Sequence, residues 1–179
     1  MKRCEMERIS QMKEFIEAKK NVLIKERINK MKYLFIENID NKKSELQNIL
    51  KELSKNKNEG KLVISYLRSS YILSSHEFYV AFYEEEAFVE EEPPCIYFDL
   101  NPIFDGVDVD LRKLDQALHE NFIRIFAEEK EEIHRWYMEQ IYMQFVHIVG
   151  AMTEGITEEG ETEIYYGGYM DALEFVSKI

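Results

Sequence analysis

The sequence predicts a mainly α chain of α+β character: a long-helix bundle with a small antiparallel β-hairpin or meander in the middle. Three observations point there. Apolar residues recur at three- and four-residue steps over residues 5–38 and again over 110–150. Between these stretches, residues 78–83, 87–89 and 95–98 are aromatic and β-prone, punctuated by glutamates and by Pro93 and Pro94. Seven glycines and three prolines in 179 residues are too few for a many-stranded sandwich.

The first helix rests on Ile9, Met12, Ile16, Leu23, Ile24, Ile28, Met31 and Phe35, with Lys and Glu filling the other faces and no Gly or Pro between them. At 1.5 Å per residue it runs to about 50 Å, which calls for a second long helix as partner. Asn38, Asp40 and Asn41 offer side-chain acceptors for a break and a new N-cap, so Leu46, Ile49, Leu50 and Leu53 read as the second arm of a helical hairpin. One continuous rod is the alternative. Residues 61–75 fit helix and strand equally well by composition, and the spacing of Val63, Leu67 and Tyr71 favours helix.

In the middle of the chain the aromatic runs read as strands, with Glu84, Glu85 and Glu86 and then Glu90, Glu91, Glu92, Pro93 and Pro94 as turns. An isolated hairpin is marginal in water, so a helix must cover one face. From Asp110 a stripe of Leu111, Leu114, Leu118, Phe122, Ile125, Ile133 and Trp136 predicts a second long helix running to Gly150 or Gly155. Asp108 and Asp110 are its candidate N-caps, with Glu120–Arg124 and Glu131–Arg135 pairs at i,i+4. After a polar loop over 153–163, Ile164, Tyr165, Tyr169, Met170, Leu173 and Val176 predict a last helix, with Gly167 and Gly168 allowing close approach of a neighbour.

Charge divides the chain. Residues 1–61 hold 16 Lys/Arg against 10 Asp/Glu, a net +6, while residues 62–179 hold 7 against 25, a net −18. The organisation predicted is a basic N-terminal helical hairpin or arm over 1–60 and an acidic α+β body over 61–179, together one compact unit. An acidic surface repels phosphates, which argues against direct nucleic-acid binding and for a basic partner. No apolar run approaches the ~20 residues that span a bilayer, and the N-terminus lacks the apolar core of a secretory signal. Cys4 and Cys95 have no CxxC spacing. A cytoplasmic protein without membrane contact is the expectation.

Catalytic motifs fail one by one. The run from Gly150 to Thr157 has P-loop glycine spacing, yet Ile156 stands where the phosphate-binding lysine belongs. Asp108 opens an acidic loop, but Lys113 occupies the position an EF-hand reserves for glycine. Ser74, Ser75, His76 and Glu77 are adjacent, whereas a catalytic triad assembles through space. Glu131 and His134 form one Glu-x-x-His, half of the ligand set of a di-metal bundle, and no second copy exists. Arg68 is the one Lys or Arg between Leu62 and Leu111; it suits an ion pair or an anion contact. His147 reads as a core-edge histidine near a helix C-terminus.

What remains is an aromatic concentration with acidic flanks. Tyr66, Tyr71, Phe78, Tyr79, Phe82, Tyr83, Phe88, Tyr97 and Phe98 fall within one stretch. The expected site is Phe88 with Glu84, Glu85, Glu86, Glu90, Glu91 and Glu92, an aromatic and acidic surface for a basic protein partner. The function expected is a non-enzymatic interaction module without cofactor: an adaptor, regulator or inhibitor, in one version a nucleic-acid mimic. The alternatives are a helical metal protein or enzyme using Glu131 and His134, and a structural homodimer joined by its long helices.

Overall fold

The computed structural model describes residues 2–55, 57, 59–73, 75–89, 92–156 and 161–179, with all their side chains except those of 2–5, 19–21 and 71. In chain order the elements are α1 (Lys2–Leu53), β1 (Glu59–Tyr66), α2 (Arg68–Ile72), β2 (Glu77–Tyr83), β3 (Cys95–Asp99), α3 (Asn101–Phe104), α4 (Val107–Asn121), α5 (Ala127–Thr153), β4 (Glu161–Gly168) and β5 (Leu173–Lys178). The strands form one mixed sheet in the order β3-β2-β1-β4-β5. β1 and β4 are parallel neighbours, and the other pairs are antiparallel. The predicted long-helix bundle with a small hairpin is therefore wrong: the chain is an α+β fold whose organising layer is a five-stranded sheet.

Three strands, β1, β4 and β5, stand where helix was expected. β1 is buried along Leu62, Val63, Ile64 and Ser65, because it is the central strand and is covered on both faces. Such a strand shows a continuous apolar run, which periodicity cannot separate from a buried helix. β4 and β5 replace the predicted last helix. Thr162, Ile164 and Tyr166 are buried in alternation with Glu161, Glu163 and Tyr165, a period of two hidden within an equally good helical spacing. Gly167 serves the hairpin: a Cβ there would lie 2.4 Å from the carbonyl oxygen of Ala172. The 87–89 segment expected as a strand is a turn, with Phe88 at φ 66°.

α1 is a single helix of 52 residues, about 78 Å long, so the predicted hairpin break is absent. The break candidates bond back into their own helix. Asn38 donates to the Leu34 carbonyl at 2.7 Å, and the backbone carbonyl of Asp40 accepts from the Ser44 hydroxyl at 2.8 Å. Side chains that satisfy the preceding turn cannot cap a new one. Met12, Ile16, Leu23, Met31, Phe35, Leu46, Leu50 and Leu53 form its buried stripe, which packs against α5 and the sheet.

Two cations interrupt that stripe, and both are satisfied. Lys42 donates to the Asp99 carbonyl at 2.9 Å and to Glu45 at 2.7 Å. Arg27 meets the buried Asp110 carboxylate at 2.5 Å and donates to the carbonyls of Asp105 and Gly106 at 2.5 and 2.7 Å. Tyr137 of α5 donates to the same Asp110 oxygen at 3.0 Å. Asp110 is thus a buried tether in the first turn of α4 rather than its N-cap, which is Gly106 in the left-handed region.

The predicted second long helix is two helices, α4 and α5. Phe122 is extended and Arg124 has φ 55°, so no Glu120–Arg124 pair forms across a continuous helix. Arg8 of α1 donates to the freed carbonyls of Ile123 (3.1 Å) and Arg124, and pairs with Glu129 at 2.9 Å. Glu129 in turn accepts from the backbone N–H of Phe126 at 3.0 Å, closing the start of α5.

Arg27→Met leaves Asp110 buried without its cation and should cost about 3–5 kcal/mol, measured by urea unfolding. Arg27→Met with Asp110→Leu should recover most of that loss; no recovery would show that the pair is not the tether. Gly167→Ala would stabilise a helix by about 1 kcal/mol, but here it should destabilise, because its Cβ meets backbone.

Candidate functional site

All the helices that pack on the sheet gather against one side of it. Leu62, Ile64, Phe78, Val80, Phe82, Phe98, Ile164 and Tyr166 point into that core with α1 and α5. Alternation sends the intervening side chains to the other face. There Val63, Ala81 and Tyr83 form a second, smaller buried group, with Tyr79, Phe88, Tyr165 and Leu173 packed around it.

Among the described residues no helix packs in this group; two turns cover the face in part. The turn after β2 brings Phe88 onto Tyr83 at 5.7 Å, and the turn after β4 brings Tyr169 onto Phe88 at 5.6 Å. Tyr169 also meets Tyr79 at 5.2 Å, and Tyr79 meets Tyr97 at 5.9 Å. All four contacts are edge-on, the geometry that aligns ring edges with ring faces. A separate edge-on pair, Tyr165 with Phe175 at 5.7 Å, lies further along the face. Tyr97 is 60% exposed, Phe175 54% and Tyr169 46%, so the ring network is open to solvent. Phe88 (φ 66°) and Met170 (φ 57°) hold left-handed backbone in the two covering turns, which disfavours bulky residues by roughly 1–2 kcal/mol each. Burial, then interaction with the Cys95 thiol, pushes the Tyr79 hydroxyl well up. Tyr79 therefore offers a neutral phenol to this surface.

Carboxylates flank these ring residues along the chain. Glu84, Glu85, Glu86 and Glu92 are exposed on the β2–β3 connection, and Glu84 pairs with Lys57 at 2.8 Å. Glu163 accepts from the Tyr165 hydroxyl at 2.8 Å. Of the predicted interaction residues, Phe88 joins the aromatic network, and Glu84, Glu85, Glu86 and Glu92 are exposed on the same β2–β3 connection. Glu90 and Glu91 lie outside the described residues, as do Ser74 and the side chains of Cys4 and Tyr71. Sequence reasoning missed Tyr169, Tyr165 and Phe175, because it assigned them to a helix. The alternation in β4, followed by two glycines, was the signal that would have found them.

Glu131 and His134 share a groove between α4 and α5 with Asp108 and Asp115. His134 is engaged there: its Nε2 lies 2.7 Å from Asp115, whose other oxygen pairs with Lys130 at 2.7 Å. Among the described residues no group of three His, Cys, Asp or Glu is placed to hold a metal ion. Arg135 pairs with Glu132 instead of the expected Glu131, and Glu132 also takes Lys13 of α1 at 3.0 Å. His147 is exposed rather than at the core edge.

Around the Ser/His/Glu run, the described residues make backbone and packing contacts. Ser70 donates to the Glu77 carbonyl at 2.8 Å, and buried His76 stacks on Phe104 at 4.9 Å. Its Nδ1 has no hydrogen-bond partner among the described residues. Comparison with protein-family models, curated proteins and solved structures finds no match to this chain. Among the described residues, no helix is long and apolar enough to cross a membrane.

The buried imidazole carries a pH prediction. Desolvation lowers the His76 pKa below its ordinary 6.5, outweighing Asp108 and Asp99, which act to raise it. The unfolded chain takes up this proton first, so stability is full above about pH 6.5 and falls as the pH drops toward the folded value. His76→Asn tolerates the left-handed backbone at φ 45°. Whatever its offset, it should flatten the acid limb of a stability-against-pH curve; an unchanged slope would mean that His76 does not titrate in this range.

Proposed function

We propose that this protein is a non-enzymatic interaction module that engages a basic protein partner through the helix-free face of its sheet. The observation that carries the reading is the continuous run of edge-on contacts Tyr97–Tyr79–Tyr169–Phe88–Tyr83, partly exposed, with exposed glutamates on the β2–β3 connection that also carries Phe88. Rings held by one another lose little conformational freedom on binding, and aromatic anchors surrounded by a polar rim carry most of the energy of protein interfaces. The rim supplies charge selection. Lys or Arg side chains of a partner would meet ring faces by cation–π contact and the surrounding carboxylates by Coulomb attraction.

The two components separate experimentally. Capture from native lysate at low and at high salt should retain a basic protein that high salt releases. Tyr97→Ala should weaken its capture about 30-fold, the effect of a hot-spot residue. Replacing Glu84, Glu85 and Glu86 together by Gln should mainly slow association and reduce the salt dependence. Equal capture by the wild type and both variants would refute the assignment to this face.

A further inference from the structure

β1 and β4 are the parallel pair of the sheet, so Tyr66 and Gly168 bring their carboxyl ends to the same edge. A cleft of about 580 Å³ opens there, within the size range of small-ligand pockets. Tyr66 stacks flat on Tyr142 of α5, with centroids 4.4 Å apart and planes 9° from parallel. The N–H of Tyr169 donates to the Tyr66 carbonyl at 3.1 Å, which holds the β4–β5 turn against the strand end. Met138 and Met143 add an apolar wall from α5.

The charged groups of this cleft are of both signs, and they are not consumed by each other. Arg135 is occupied by Glu132. Arg68, exposed on α2, has no hydrogen bond or ion pair among the described residues; the same holds for half-buried Glu139 and for the Tyr66 hydroxyl. Asp171 accepts through Oδ1 from the Ala172 N–H at 2.8 Å. Burial first, then Asp171 and Glu139, push the Tyr66 phenol up, while Arg68 acts in the opposite direction. Cationic and anionic groups thus lie within electrostatic reach of one hydroxyl.

This mixture narrows the ligand. A simple anion would meet Arg68 but also Glu139 and Asp171, in a chain of net charge −12. A simple cation would meet the two carboxylates and leave Arg68 facing it. An apolar molecule would strip water from all three charges without replacing it. A molecule with a carboxylate and an ammonium a few ångströms apart answers both signs at once, and the methionine and tyrosine walls suit an apolar appendage.

We infer that this cleft binds a zwitterionic small molecule of the free amino-acid class: its carboxylate on Arg68 and the Tyr66 hydroxyl, its ammonium on Glu139 and Asp171, its apolar or aromatic side chain against Met138, Tyr142 and Met143. The inference does not rest on the sheet-face reading. Arg68, Glu139 and Tyr66 take no part in that surface, and only Tyr169 borders both.

Calorimetric titration of the full chain with L-phenylalanine, L-leucine, N-acetyl-L-phenylalanine and L-phenylalaninamide tests it. The free amino acids should bind, and blocking either charge should weaken binding by about tenfold or more, the loss of one charge-assisted contact. Arg68→Gln should weaken L-phenylalanine while leaving the amide unchanged, and Glu139→Gln should weaken it while leaving the N-acetyl form unchanged. Both positions lie outside the hydrophobic core, so a circular dichroism spectrum matching the wild type is expected of each variant. Equal affinity for free and N-acetylated phenylalanine would overturn the inference. So would the absence of saturable binding of all four compounds up to about 10 mM, weaker than any affinity a built site of this size should give.

Discussion

The buried contact of Arg27 with Asp110 and Tyr137 joins three helices at one point, and the arrangement of the remaining structure depends on it. Arg27 comes from the middle of α1, Asp110 from the first turn of α4 and Tyr137 from α5. A buried ion pair adds little stability over an apolar pair of similar volume, but breaking one half of it is expensive. Its effect is therefore on register: α1 is a long rod with a repetitive apolar stripe, and sliding it by one turn would strand both charges. The two carbonyls that Arg27 also binds belong to the α3–α4 turn, where Gly106 has φ 84° and a Cβ would lie 3.0 Å from the guanidinium. The turn, the glycine and the arginine are thus one arrangement.

With α1 fixed, the basic first third of the chain lies on the acidic remainder through specific contacts. Arg8 reaches Glu129, Lys13 reaches Glu132 and Lys30 reaches Asp105. Most of these pairs are partly exposed, and each is worth little alone. Their sum still biases which face of the body the rod covers. α1 and α5 take the same side of the sheet, and the opposite side is left to two turns and a network of rings. One-sided cover by helices explains the solvent-facing aromatics better than any property of the strands themselves.

The site and the cleft inherit their positions from topology. Because β4 inserts beside β1 in parallel, its carboxyl end delivers Gly168, Tyr169 and Asp171 next to Tyr66 and Arg68, which lie far earlier in the chain. The same turn carries Tyr169 across to Tyr79 and Phe88. A single hairpin turn therefore contributes to both the aromatic face and the wall of the cleft. A helix in this segment would have produced neither.

Much of the helical layer was legible in the residues. The spacing of Met12, Ile16, Leu23, Met31 and Phe35 predicts a buried face, and those five are buried. The aromatic runs at 78–83 and 95–98 are β2 and β3. The run of glutamates and aromatics around Phe88 is a matter of composition, which is a local property. Three decisions lay beyond local signals. Whether 61–66 is strand or helix depends on its having β2 and β4 as neighbours. The α4–α5 break has no Gly or Pro to mark it, and Arg8 of α1 stabilises the freed carbonyls. Asn38 and Asp40 could cap or continue a helix, and continuity is chosen because the stripe on either side packs on one surface. The sequence by itself determined which segments are apolar on one side and how charge divides along the chain, since these are set by neighbouring residues. The tertiary structure alone decided the sheet, its parallel central pair and the open aromatic face, because a strand becomes preferable to a helix only when distant partners satisfy its backbone.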